Sequence, residues 1–131
     1  MLYIILLLVV AVVGWSYIDK AKARVRRVNQ AKALKKLSVM EKEGTLYQVP
    51  YPSWMTNRSQ LEKFAAIVQG ATDRAGVPNS FFIEMFSNIN DRTRLMLLAG
   101  MMEKNNSSFN EQSRSVADTI IGCWSRRSMH S

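Results

Sequence analysis

The stretch 61–78, "LEKFAAIVQGATDRAGVP", decides the fold because it carries a helical repeat with a clear end. Its apolar residues recur mostly at intervals of three and four, which places them on one face of a helix. These residues are Leu61, Phe64, Ala65, Val68, Ala71 and Ala75. Gly76 and Pro78 then end the helix. Asn57 or Ser59 is expected to cap its start, because both side chains can accept a hydrogen bond from a free backbone N–H.

The same signals recur towards the C-terminus. A second helix is predicted near 79–87, a third ends before the "KNNSS" turn, and a fourth begins at a capping box of Ser108 and Glu111. No segment shows the period-2 alternation of a strand. We therefore expect an all-α fold, with a bundle of about four helices over 56–127 and a short tail at 128–131.

A linker rich in proline and aromatic residues precedes this bundle, over 44–55. Pro50 and Pro52 impose extended backbone on the residues before them. The linker aromatics are expected to pack back on the bundle, with a partner contact as the alternative. Methionines at helical spacing are typical of a core, with an adaptable binding groove as the alternative. The candidate partner surface comprises Tyr47, Tyr51, Trp54, Met101 and Met102.

Positive charge is concentrated before the linker. The 131 residues include 18 Lys and Arg against 10 Asp and Glu, a formal net charge of +8. Residues 1–44 hold nine basic and three acidic residues, whereas 45–131 hold nine and seven. The segment 20–43 is predicted to be a basic juxtamembrane helix that mainly sets the membrane topology, with recruitment of anionic lipid or of an acidic partner as the alternative. Its candidate lipid contacts are Lys20, Lys22, Arg24, Arg26, Arg27, Lys32, Lys35 and Lys36.

The apolar residues of this basic segment recur every three residues. They are Val25, Val28, Ala31, Leu34, Leu37 and Met40. A spacing of three drifts around a helix of 3.6 residues per turn and does not stay on one face. The pattern predicts a mostly solvated helix and disfavours a long coiled coil.

An uncharged run, "LYIILLLVVAVVGWSYI", occupies residues 2–18. As a helix it would span roughly 26 Å, at the short end of the lengths that cross a bilayer. Aromatic residues near its ends suit a membrane interface: Tyr3, Trp15 and Tyr17. The run predicts a transmembrane anchor over 1–19. A cleaved signal peptide is the alternative, and the absence of Lys or Arg before the run opposes it.

The basic residues after the run indicate an orientation, because positive charge stays on the cytoplasmic side. The prediction is a single-pass inner-membrane protein, bacterial or phage-encoded, with its N-terminus outside and its bundle in the cytoplasm. A single cysteine, Cys123, cannot form an intramolecular disulfide and agrees with a reducing compartment.

Catalytic chemistry is not indicated anywhere in the chain. Cys123 and His130 are its one cysteine and its one histidine, so no Cys or His set has metal-ligand spacing. No phosphate-binding loop, dinucleotide motif or nucleophile motif is present. We therefore predict no catalytic residue, no metal, no cofactor and no enzyme activity.

The leading functional prediction is a membrane-anchored module that binds another protein, as an adaptor, assembly factor or inhibitor, with homo-oligomerisation open. The first alternative is a self-associating, membrane-active or pore-forming protein. The second alternative is membrane-tethered nucleic-acid binding through the basic segment. That binding is disfavoured because no aromatic residue lies between Asp19 and Leu46 to stack on bases.

Overall fold

The structure, a computed structural model, describes the backbone of residues 2–130 and the side chains of residues 20–129. Regular structure in this part of the chain is helical throughout. The five helices are α1 (Leu2–Glu43), α2 (Arg58–Arg74), α3 (Asn79–Ser87), α4 (Ile89–Lys104) and α5 (Phe109–His130). Short 3₁₀ turns between α1 and α2 are Leu46–Gln48 and Ser53–Thr56. The prediction of an all-α fold is confirmed.

The predicted transmembrane anchor is not supported. In the part of the chain that the structure describes, no helix is long and apolar enough to cross a membrane. The predictions of a transmembrane anchor over 1–19 and of a single-pass inner-membrane placement are therefore wrong. Helix α1 continues unbroken through 42 residues, so the uncharged run and the basic segment belong to one helix. The predicted interface aromatics lie outside the described side chains: Tyr3, Trp15 and Tyr17.

The C-terminal part of α1 packs against α4 and α5, so the basic segment is part of the bundle. Ala33 is fully buried and Leu37 is 7% exposed. The earlier apolar residues of the predicted stripe face solvent: Val25 is 50% exposed and Val28 is 47% exposed. The prediction of a mostly solvated helix is wrong for the face that carries Ala33 and Leu37, because neighbouring helices cover that face.

Most helix ends follow the signals in the sequence. The Asn57 side chain caps α2 by accepting a hydrogen bond from the Gln60 N–H at 3.3 Å. Gly76, in the left-handed region at φ +80°, follows the end of α2. The capping box at α5 forms in both directions, at 3.3 and 3.2 Å between Ser108 and Glu111. The helix starts predicted at Asn57 and Ser108 are confirmed.

Helix α4 lies at the centre of the core. Residues 95–102 are buried without interruption, because α1, α3 and α5 all pack against this helix. Helix α5 adds Val116, Ala117 and Ile120, each fully buried. A helix surrounded on all sides carries apolar residues all round, which explains why α4 shows little amphipathic pattern.

The linker, residues 44–57 in the structure, crosses the bundle and is held to it by specific contacts. The Pro50 carbonyl lies so close to Gly100 of α4 that a Cβ there would overlap it. The Trp54 side chain is 6% exposed and packs on Phe64, with ring centroids 4.7 Å apart. The Trp54 Nε1–H donates to Gln112 Oε1 at 2.7 Å. The prediction that linker aromatics pack back on the bundle is confirmed for Trp54.

Candidate functional site

An open groove lies where α1, α4 and the C-terminal part of α5 meet, and we call it the α1/α4 groove. It contains a cavity of about 370 Å³. An adjoining cavity of about 500 Å³ shares Glu41, Leu46, Asp91 and Arg94 with the first. The two cavities therefore form one continuous depression. Together they have the volume of a site for a few side chains of a partner.

Each helix contributes a face of regular spacing to the groove. Helix α1 provides residues 34, 37, 38 and 41, and α4 provides residues 91, 94, 95 and 98. Both sets follow the i, i+3, i+4, i+7 pattern of one helical face. Helix α5 adds positions 119, 123 and 126, again along one face. The groove is thus a seam between helix faces, to which the linker adds Leu46 and Tyr47.

The floor of the groove is apolar. Its side chains come from α1, the linker, α3 and α4: Leu37, Leu46, Met85, Leu95 and Leu98. Leu98 is 1% exposed and Leu95 is 3% exposed, so the floor is continuous with the core. Larger exposure begins at the mouth, where Leu34 is 40% exposed, Ile89 is 66% exposed and Tyr47 is 83% exposed. Apolar surface therefore extends from the core out to solvent.

The rim of the groove carries charges of both signs. Arg94 Nη2 forms an ion pair with Glu41 Oε2 and so links α4 to α1 across the depression. Both side chains are about half exposed, so the pair stabilises the fold by no more than about 1 kcal/mol. Asp91 and Arg126 complete the rim. Arg126 donates to the Gly122 carbonyl at 3.4 Å, a contact within its own helix.

The structure separates the five residues predicted as a partner surface into buried and exposed ones. Trp54, Met101 and Met102 are 6% exposed or less and belong to the core. Tyr47 lines the mouth of the α1/α4 groove, whereas Tyr51 is 49% exposed on the linker. Of the five candidates, Tyr47 is the one that lines this groove.

The basic residues predicted as lipid contacts lie along α1. All are exposed except Arg26, whose side chain is 15% exposed and lies beside Asp118 of α5. The structure therefore places Arg26 in a helix contact, and the other seven on a solvated face. A lipid-binding role for those seven stays a prediction.

Sequence reasoning missed the residues that build the groove. Glu41 and Arg94 face each other across it, yet they are more than fifty positions apart in the chain. Ile89 was not singled out by the sequence pattern, and the structure shows it to be 66% exposed. Little signal was present on α1, because only two of its four groove positions, Leu34 and Leu37, are apolar.

Metal chemistry finds no support in the part of the chain that the structure describes. No group of three or more His, Cys, Asp or Glu side chains there could hold a metal ion. Cys123, which lines the groove, is a partly buried free thiol whose Sγ accepts from Arg126 Nη2 at 3.6 Å. The groove offers apolar contact and charge of both signs.

Comparison of this chain with protein-family models, with curated proteins and with solved structures found no match. Its function is therefore inferred from the geometry of the chain itself.

Proposed function

We propose that the chain is a protein-interaction module, acting as an adaptor, assembly factor or inhibitor, and that its α1/α4 groove holds an amphipathic helix of a partner protein. The observation that carries the proposal is an apolar floor that opens onto exposed Leu34, Tyr47 and Ile89. Continuous exposed apolar surface rimmed by polar residues is typical of protein contact sites.

A helix is the occupant that fits the walls of the groove. The depression runs between α1 and α4, each of which presents one helical face to it. A third helix laid along such a seam packs as the helices of a bundle already do. Recognition of this kind uses apolar anchors at i, i+3, i+4 and i+7 on the bound helix.

The charges on the rim of the groove restrict which residues the partner helix should carry. Among the described residues, neither Asp91 nor Arg126 forms an ion pair, although both stand on the rim. A bound helix with a basic residue towards Asp91 and an acidic one towards Arg126 would satisfy both charges. Rim charges of opposite sign fix the direction in which a helix lies. The partner is therefore expected to carry an apolar stripe flanked by both signs of charge.

The alternative of a pore-forming protein loses its basis, because it depended on the apolar run as a membrane span. The nucleic-acid alternative depends on the exposed basic face of α1, which is separate from the groove. Substitutions on that face and in the groove can therefore distinguish nucleic-acid binding from protein binding.

The proposal is tested by capturing partners from cells with the tagged chain and two matched variants. Leu34→Glu places a charge at the mouth of the groove, whereas Val28→Glu places the same charge on a solvated part of the same helix. The two side chains are similarly exposed, at 40% and 47%, so neither change should unfold the chain. Circular dichroism of both variants checks this.

We expect one discrete protein to be recovered with the unaltered chain and with Val28→Glu, and recovery to fall about tenfold or more with Leu34→Glu. Equal recovery with Leu34→Glu would contradict the proposal. So would recovery of nucleic acid or lipid that Val28→Glu reduces and Leu34→Glu does not. If the recovered protein is a second copy of this chain, the proposal of a helix from a different protein is wrong, and the groove is a self-association surface.

A further inference from the structure

A second groove, formed by α1, α2 and α5, concentrates arginine side chains, and we call it the arginine groove. It has a volume of about 440 Å³. Its lining consists of Arg26, Ala71, Arg74, Arg114, Asp118 and Ile121. None of these residues lines the α1/α4 groove. Three arginines from three different helices converge here, although they are far apart in the sequence.

Arg26 is held inside this groove. Its side chain is 15% exposed, and its Nε lies 3.2 Å from Asp118 Oδ2. The ion pair is close, but the Nε is buried and has no hydrogen-bond acceptor. The contact is therefore one of charge without a directed hydrogen bond. A buried donor without an acceptor is uncommon in folded proteins and calls for an explanation.

The other two arginines lack a carboxylate. Among residues 20–129, neither Arg74 nor Arg114 forms an ion pair, and Asp118 is the one carboxylate in the lining. The Arg74 guanidinium folds back along its own helix beside Gly70. Three positive charges and one negative charge leave a net charge of +2 in the groove.

We propose that the arginine groove binds a phosphate monoester. A phosphoryl group carries about −1.5 to −2 charge near pH 7, which matches the +2 of the groove. Arginine is suited to this task because its planar guanidinium donates two parallel hydrogen bonds to phosphate oxygens. Ala71 and Ile121 provide apolar surface beside the arginines for the organic part of the ester. The proposal does not depend on the proposed function, because the two grooves share no residue.

Two sources of phosphate monoester fit this chemistry, a small nucleotide and a lipid headgroup. The test therefore uses adenosine 5′-monophosphate in solution and vesicles of phosphatidylcholine with phosphatidic acid. Adenosine and pure phosphatidylcholine vesicles are the controls without the phosphomonoester. Binding to the 131-residue chain is measured by calorimetry for the nucleotide and by co-sedimentation for the vesicles.

The variants separate this groove from general surface charge. Arg74→Gln and Arg114→Gln each remove one charge from the groove, and Arg58→Gln removes one charge from an exposed site on the same helix as Arg74. We expect each groove variant to weaken binding at least about tenfold and Arg58→Gln to leave it unchanged. Binding by the nucleotide indicates a small ligand, whereas binding confined to the phosphatidic acid vesicles indicates a lipid headgroup.

Several outcomes would overturn the proposal. One is failure of the unaltered chain to bind either phosphomonoester probe. Another is an equal loss of binding with Arg58→Gln, which would indicate diffuse charge attraction. A third is binding of inorganic phosphate as tight as that of the nucleotide, which would leave the apolar side of the groove without a role. None of these results bears on partner capture through the α1/α4 groove.

Discussion

At the scale of single residues, Gln112 joins the linker to the bundle. Its Oε1 accepts a hydrogen bond from Trp54 Nε1 at 2.7 Å, and its Nε2 donates to the Ser107 carbonyl at 2.9 Å. Gln112 is 2% exposed and Trp54 is 6% exposed, so water cannot replace either partner. A buried amide that is satisfied on both sides holds the linker in one position.

Gln112→Leu is expected to destabilise the chain by about 2 to 4 kcal/mol. The change leaves the Trp54 N–H and the Ser107 carbonyl buried without partners, and each unpaired group costs about 1 to 3 kcal/mol. Urea unfolding measures the loss. Gln69→Leu, on the exposed surface of α2, is the control and should change stability by less than about 0.5 kcal/mol. Equal effects of the two variants would contradict the role assigned to Gln112.

Gly100 and Gly122 make a second matched pair, because both lie inside helices. At Gly100 a Cβ would overlap the Pro50 carbonyl, whereas nothing lies within 4 Å of a Cβ at Gly122. Gly122→Ala should therefore stabilise the chain by about 0.5 to 1 kcal/mol through helix propensity. Gly100→Ala should destabilise it by about 1 to 3 kcal/mol, because overpacking outweighs that gain.

Thermal unfolding gives the sign of both glycine effects. Tryptophan fluorescence should change in Gly100→Ala but not in Gly122→Ala, since displacing Pro50 also moves the linker that carries Trp54. A stabilised Gly100→Ala variant would show that the linker does not lie against α4.

At the scale of helices, prediction from sequence worked where the signals were local. The end of α2 just before Gly76 and the capping box at Ser108 depend on neighbouring residues and were predicted correctly. The face of α1 that packs on the bundle was not predicted, because two of its partly buried positions are the polar residues Asn29 and Gln30. Gln30 donates to the Ser115 carbonyl and to Thr119 Oγ1, so α5 supplies the partners that make this burial favourable.

The orientation of α1 can be tested with two leucines three positions apart. Leu37 is 7% exposed and Leu34 is 40% exposed. Leu37→Ala should cost about 2 to 4 kcal/mol, as for a core leucine, because the cavity left in the bundle cannot collapse fully. Leu34→Ala should cost less than about 1 kcal/mol, because its side chain is already partly in water. Denaturant unfolding measures both, and the reverse order would mean that α1 docks through another face.

At the scale of the whole molecule, both grooves depend on helix packing that no local pattern encodes. Glu41 meets Arg94, and Arg26 meets Asp118, only after the helices have assembled. Composition predicted charge along α1, but it could not show that Arg26 would turn inward to α5. The candidate site was therefore predicted only at Tyr47, whereas the helical class of the fold followed from periodicity alone.

The membrane interpretation failed at the same scale. It depended on the hydropathy of residues 2–18, whereas no helix in the described part of the chain is long and apolar enough to cross a membrane. The helices after the linker form a packed bundle, as predicted, and Trp54 of the linker packs on it. Protein contacts of the bundle are therefore sought on its exposed apolar surface, at residues such as Tyr47 and Ile89.

The most direct test of the central claim is site-specific photo-crosslinking in intact cells at two matched isoleucines. Ile89 lies at the mouth of the α1/α4 groove and is 66% exposed, whereas Ile83 is 61% exposed on α3 and lines neither cavity of that groove. A photoreactive residue at position 89 should give one discrete crosslink to another protein, lost when Leu34→Glu is added. The same residue at position 83 should not give that crosslink. Crosslinks of equal yield at both positions, or no protein crosslink at position 89, would contradict the groove as the partner-binding site.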